Sequence, residues 1–267
     1  MSAPWQPIAA YTARRRRLAL LTWGGGLGAL AAVVIAVFPS FRGNAQLDQL
    51  LDSYPDALKE AFGISEGWFS SVESYLAGEM FNLLAPLAVC FFAIHALAVA
   101  VSATGSRPVL ETLLTAPIQR RHYLTGVLIG VLGVLAGVLL VLAVVMLVTS
   151  WLFGAGLAVD STIAAVVTLW ALAAFAGGAA AFLAGASGHS GIVNGGAFGF
   201  MVGAYFVEVL GGLSDTVGVV DGLSPFHYYG TAIIDGVDPV ACLGLVAAGA
   251  LLAAAGCALL ERRDISR

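Results

Sequence analysis

From Gly126 to Phe153 the chain reads GVLIGVLGVLAGVLLVLAVVMLVTSWLF. No residue in this stretch carries a charge. It is longer than the roughly 20 mostly apolar residues that take an α-helix across a bilayer. Working outward from it, comparable stretches occupy residues 18–38, 80–101, 161–185, 192–210 and 239–260. The fold class expected is therefore an all-α membrane protein with six transmembrane helices, and 1–267 reads as a single transmembrane domain.

Composition agrees with lipid as the solvent. Of the 267 residues 60% are hydrophobic and 10% charged, whereas soluble domains carry about 25% charged residues. Cys90, Cys242 and Cys257 all fall inside apolar stretches. Buried free cysteine behaves as a small hydrophobe, so neither a disulfide nor redox chemistry is inferred. Several spans carry glycines at small-xxx-small spacing, as at Gly24 and Gly28, Gly133 and Gly137, and the series Gly191, Gly195, Gly199, Gly203. Such residues let helices approach closely in lipid.

Orientation follows from the basic residues. Every Lys and Arg except Arg42 and Lys59 lies in 1–17, 102–125 or 261–267. The positive-inside rule puts those segments, and both termini, in the cytoplasm. Arg14–Arg17 before an apolar run also suits a secretory signal, but the run is long for one and no Ala-x-Ala site follows. An anchor is the better reading.

The outer segments expected are 39–78 and 211–238. In the first, Leu47, Leu50, Leu51, Leu58 and Phe62 recur at helical spacing, with acidic residues on other faces; that is an amphipathic helix. The second is acidic and holds Phe226, His227, Tyr228 and Tyr229. A partly re-entrant turn and an interfacial aromatic belt both fit it.

The inner segment 102–125 is the most informative. Pro108 suits the first position of a helix, and Val109, Leu113 and Leu114 then share a face. Glu111 sits in the first turn, where the helix dipole favours a carboxylate. Pro117 ends the helix, and Arg120 and Arg121 follow near the membrane. A short cytoplasmic helix held between two spans can transmit force from a soluble partner; it can equally be a capped loop with a basic anchor.

Here the chain resembles a known family. Glu111-Thr-Leu-Leu114, Pro117, Arg120 and Gly126 are similar to the Glu-x-x-Leu-Leu…Pro-x-x-Arg…Gly segment of type-2 ABC exporter permeases, the membrane subunits of bacterial ABC transporters. Tyr54-Pro-Asp-Ala-Leu-Lys-Glu-Ala-Phe-Gly63, Leu223-Ser-Pro-Phe-His-Tyr228 and Glu261-Arg-Arg-Asp-Ile265 resemble further patches of that family, in the family's order. Val127 departs from it, standing where many members have lysine. The resemblance implies a permease that pairs with a second copy of itself or a similar permease and with separate ABC ATPase subunits. It makes the helix beginning at Pro108 the coupling helix, with Pro108, Val109, Glu111, Thr112, Leu113, Leu114, Pro117, Arg120 and Arg121 as the ATPase-coupling residues. It also makes 3–17 an inner interfacial helix, with Trp5 and Tyr11 at the membrane surface.

No cofactor is expected in this chain. There is no G-x-x-x-x-G-K-[ST] loop, and the sole lysine is Lys59; ATP and magnesium would sit on the partner. No metal-ligand spacing, no catalytic set and no nucleic-acid partner is read. Membrane lipid is the expected surrounding. Candidate substrate-path residues are Phe91, His95, Asn194, Phe198 and Glu208. Polar groups at membrane depth usually face a bundle interior or wet cavity, although Glu208 also suits the water boundary and His95 a bond to a neighbouring helix. With so few charges in the spans, a path here would be apolar and suit lipid-like or drug-like amphiphilic cargo. A secondary transporter and a non-transporting scaffold or immunity protein are the alternatives. Intramembrane charge, which secondary transporters often use, is nearly absent.

Overall fold

The computed structural model describes residues 5–42, 53–54, 68–104, 120–213 and 222–262. Every element among them is helical. A short helix, α1 (Gln6–Arg15), precedes a π-helical turn, Leu20–Gly24, which runs on into α2 (Gly25–Val37). Next come α3 (Val72–Leu76), a second π-helical turn (Ala77–Phe81) and α4 (Leu84–Thr104). Three long helices follow: α5 (Arg120–Phe153), α6 (Val159–Ser187) and α7 (Ser190–Leu213). Two short ones, α8 (Pro225–Tyr229) and α9 (Ala232–Asp235), lead to the final α10 (Pro239–Arg262).

Among the described residues, five helices are long and apolar enough to cross a membrane, and six if the pair Val72–Phe81 and Leu84–Ala100 counts as one span. That pair is bent by 45°. The span expected over residues 80–101 falls on this bent pair. The π turn ends at Phe81, just before the bend, and π-bulges are a recognised cause of helix kinks. The amphipathic stretch at Leu47, Leu50, Leu51, Leu58 and Phe62 lies outside the described residues, as does the coupling helix expected from Pro108 to Thr115.

Helix α6 is the centre of the bundle and packs against α4, α5, α7 and α10. Its tightest neighbour is α10. Gly178 and Gly185 lie directly against the backbone of Gly249 and Gly256. A Cβ added at Gly249 would stand 2.7 Å from the Ala174 carbonyl oxygen and 2.8 Å from the Cα of Phe175. Seven residues before Gly178, Ala171 is buried beside Cys242, which itself precedes Gly249 by seven. The two helices therefore run parallel and touch at every second turn through their smallest residues. In lipid, where apolar side chains gain nothing by leaving their surroundings, close packing of this kind is a principal source of association.

Ends and connections are built to satisfy backbone groups. Gly188 (φ 64°) ends α6 in the left-handed conformation, with its N–H on the Ala184 carbonyl. The start of α6 has no cap of its own, and the Glu73 carboxylate accepts the Ala158 N–H at 3.1 Å from across the bundle. Asp238 Oδ1 accepts the N–H groups of Val240 and Ala241 ahead of α10, at 2.8 and 3.1 Å. Of the aromatic cluster 226–229, Phe226 and Tyr229 are buried rather than laid along the surface. The Tyr229 hydroxyl donates to the Phe81 carbonyl at 3.0 Å, tying the segment to the bend before α4.

Replacing Gly178 by Val forces α6 and α10 apart, and overpacking of a rigid contact costs about 3 kcal/mol. A marked fall in melting temperature in detergent is expected. Gly244→Ala, on α10 where an added Cβ meets nothing within 4 Å, should leave the melting temperature unchanged. Equal stability of the two variants would count against this packing.

Candidate functional site

Along α4, Leu84, Phe91, His95 and Val99 are exposed while Phe92, Ile94, Ala96 and Leu97 are buried. The exposed residues recur at helical spacing and so form one face. On that face Phe91 and His95, one turn apart, stack with ring centroids 5.4 Å apart and planes 9° apart. Phe198 of α7 meets Phe91 edge-on at 5.4 Å. Trp23, from the π turn before α2, lies 6.2 Å from Phe91 and 5.5 Å from Phe92. Three helices thus contribute to an aromatic wall. Offset and edge-to-face geometry of this kind stabilises ring pairs beyond their buried area.

Asn194 lies one turn before Phe198 on the same helix. Its Oδ1 is buried and has no hydrogen-bond partner among the described residues. The structure therefore brings together Phe91, His95 and Phe198, with Asn194 one turn from Phe198 on α7. Glu208 stands apart from them, ten residues beyond Phe198 and hence about 15 Å along α7. Its Oε1 is 3.7 Å from Nδ1 of His227, at the α8 end of the bundle. Trp23 is the member that sequence reasoning missed. Its signal was a lone indole beside the glycines 24–26, and only the π turn aims it at α4. π-helical turns are enriched at functional positions.

The small-residue positions divide sharply. Added Cβ atoms at Gly24 and Gly28 would meet Val141 and Val145 of α5 at 3.1 and 3.2 Å, so both serve packing of α2. At Gly191, Gly195, Gly199 and Gly203 they would meet nothing within 4 Å. That stripe of α7 is open.

The segment 105–119, with Pro108, Val109, Glu111, Thr112, Leu113, Leu114 and Pro117, lies outside the described residues, as does the Arg120 side chain. Its flanks are well anchored. Arg16 donates from Nη2 to the Ala96 carbonyl of α4 at 2.9 Å. Tyr123 donates its hydroxyl to the Ala100 carbonyl at 3.4 Å. Arg121 pairs with Glu261 of α10 at 3.5 Å. Burial, and then repulsion by Arg15, pulls the Arg16 guanidinium below its ordinary value, yet arginine remains charged in proteins. Helix α1 is seated on α5 at two glycines. A Cβ at Gly126 would lie 2.8 Å from the Ile8 Cβ, and one at Gly130 would lie 2.8 Å from the Ala9 carbonyl. This is the physical reason for glycine at 126. Val127, next to it, is buried in the core.

A bundle of helices long and apolar enough to cross a bilayer, with an aromatic face on two of them, has the build of a multi-pass membrane protein. Along residues 6–260 the chain matches the family described as multidrug efflux system permease Rv1217c, C-terminal domain, and it belongs to that family. No curated protein matches the chain.

Arg16→Ala removes a hydrogen bond from a charged donor. Such bonds contribute about 1.5 kcal/mol or more, reduced here because the group is partly exposed. A modest drop in melting temperature in lipid nanodiscs is expected, with no change from Arg14→Ala. An unchanged Arg16→Ala melting temperature would show that the anchor holds nothing.

Proposed function

We propose that this chain is the membrane subunit of an ATP-driven exporter of amphiphilic, drug-like compounds. Two copies, or this chain and a similar permease, would pair, and two separate ATPase subunits would supply ATP and magnesium. Membership of an efflux permease family supports the transport role. The absence from the sequence of a phosphate-binding loop supports a separate power source. The basic residues support cytoplasmic termini.

The observation that carries the reading is the wall of Trp23, Phe91, His95 and Phe198. It is apolar, rich in π-faces, and lies beside the open glycine stripe of α7. Ring faces accept flat hydrophobic molecules and cations with little demand for a particular hydrogen-bond pattern. His95 and Asn194 add two polar atoms at which a ligand can be oriented. In a pair of copies, two such walls would enclose a path.

The segment 102–125 would then deliver the power stroke. Glu111 and Leu114 would dock in the ATPase. The anchors at Ala96, Ala100 and Arg121 would pass displacement to α4 and α5 rather than lose it in a slack loop.

Reconstitution with an ATPase encoded beside this chain tests both parts. Phe91→Ala and Phe198→Ala each remove an aromatic pair contact of about 0.5–1.5 kcal/mol. The drug concentration for half-maximal ATPase stimulation should rise about two- to tenfold, with basal hydrolysis kept. Unchanged drug responses would sink the path. The double variant Glu111→Ala/Leu114→Ala should abolish drug-stimulated hydrolysis while the protein stays folded. Proton-gradient-driven export by this chain alone, insensitive to that double variant, would instead establish a secondary transporter.

A further inference from the structure

A groove of about 340 Å³ runs between α5, α6 and α10. Its floor is made of small residues, Ala174, Ala181, Gly249 and Ala253 among them, and its lining is almost wholly apolar. Glycine contact between α6 and α10 creates it, because helices that touch by their backbones leave a recess where larger side chains would stand. The recess opens outward past Ala250 and Ala254, both exposed.

Its length is informative. On α10 it extends from Val246 to Cys257, and on α6 from Trp170 to Ala181, each about 16 Å at 1.5 Å per residue. That is half of a hydrocarbon core about 30 Å thick, or one leaflet. The deep end is closed by Trp170, whose Nε1 donates to the Leu132 carbonyl at 3.1 Å. The indole N–H is thereby satisfied, and the ring offers the groove an apolar face.

The other end meets charge. One turn beyond Thr125 on α5 is Arg121, and one turn beyond Cys257 on α10 is Glu261. Each lies on the face of its helix that lines the groove. Their side chains are 51% and 46% exposed and sit 3.5 Å apart. The mouth therefore presents a guanidinium and a carboxylate side by side, about one leaflet's length from the closed end.

We propose that this groove is a binding site for one acyl chain of a zwitterionic, primary-amine-bearing phospholipid of the phosphatidylethanolamine type. The chain lies on the alanine floor, the phosphate meets Arg121, and the ammonium meets Glu261. Guanidinium suits phosphate by its planar fork of donors. The carboxylate suits an ammonium that can donate hydrogen bonds, which a quaternary choline cannot. The site lies on α5, α6 and α10, away from the aromatic wall, and does not rest on the exporter reading.

Native mass spectrometry of the delipidated chain in detergent tests this, without any ATPase. Phosphatidylethanolamine, phosphatidylglycerol and phosphatidylcholine of matched acyl chains are titrated separately. One phosphatidylethanolamine per chain should bind about tenfold tighter than phosphatidylcholine, the effect of a charge-assisted hydrogen bond. Glu261→Gln should erase that preference. Ala253→Leu and Ala250→Phe, which fill the groove from floor and wall, should each remove the high-affinity adduct at wild-type melting temperature. Val240→Phe, at a residue 79% exposed on the same helix, should not. Equal binding of the three lipids, tightest binding of phosphatidylglycerol, or full binding to both groove-filling variants would overturn the proposal.

Discussion

The contact of Gly178 with Gly249 and of Gly185 with Gly256 is the constraint on which the bundle turns. Two helix backbones touch there with no side chain between them. Dispersion attraction falls off steeply with distance, so the closest approach supplies the most attraction that lipid-solvated helices can obtain without polar groups. The spacing of seven residues keeps the seam between α6 and α10 in register, as a heptad pattern does in a left-handed crossing. With α10 fixed on one side, α6 offers its remaining faces to α4, α5 and α7. The groove beside the seam follows from the same small residues.

Polar groups in the bundle are few, and most of those described act on backbone. Arg16, Tyr123, Trp170, Ser224 and Tyr229 each donate to a carbonyl on a different element. These bonds join elements that apolar packing alone would leave free to slide or rotate. Four of them lie toward the ends of the spans, around the flanks of 105–119 and near the bend before α4, while the Trp170 bond lies deep in the bundle. Asn194 is the contrast, with a buried Oδ1 that no described residue satisfies. A buried polar atom without a partner is costly, which makes its place beside the aromatic wall notable.

Much of the architecture was legible because lipid imposes a simple rule: a crossing helix must be apolar for about 20 residues. The runs around 126–153, 161–185, 192–210 and 239–260 announce themselves by length. The bend before Leu84 does not, since hydropathy is blind to a local change from α to π winding. Glycine spacing alone did not locate the contacts. Within this chain Gly133 and the series from Gly191 to Gly203 share the familiar four-residue period, yet an added Cβ there meets nothing within 4 Å, whereas the tightest contact uses a period of seven across two helices. A periodicity within one helix shows which residues share a face but not what meets it. At the candidate site, Phe91, His95 and Phe198 could be proposed from their residue types and depth. Trp23 could not, because it sits on a different helix, in a π turn that hydropathy does not reveal, and Glu208 separated from them through distance along α7.

The open glycine stripe and the packed glycines at Gly178 and Gly249 differ in what each permits, and that difference bears on motion. A backbone-to-backbone seam has one tight arrangement, and sliding it by a residue would drive Cβ atoms into carbonyls. It suits a static half of the subunit, made of α6 and α10. On α4 and α7 the exposed face is held by rings in edge and stacked contacts, which tolerate small rotations with little loss. The bend of 45° before α4 supplies a place where that helix can change direction without breaking a long run of regular hydrogen bonds, and the π turn before α2 does the same beside Trp23. A transporter needs both kinds of contact, a rigid frame and a face that can open and close. In this chain the tight seam and the ring-lined face fall on different helices, the first where glycines meet a neighbouring backbone and the second beside glycines that meet nothing.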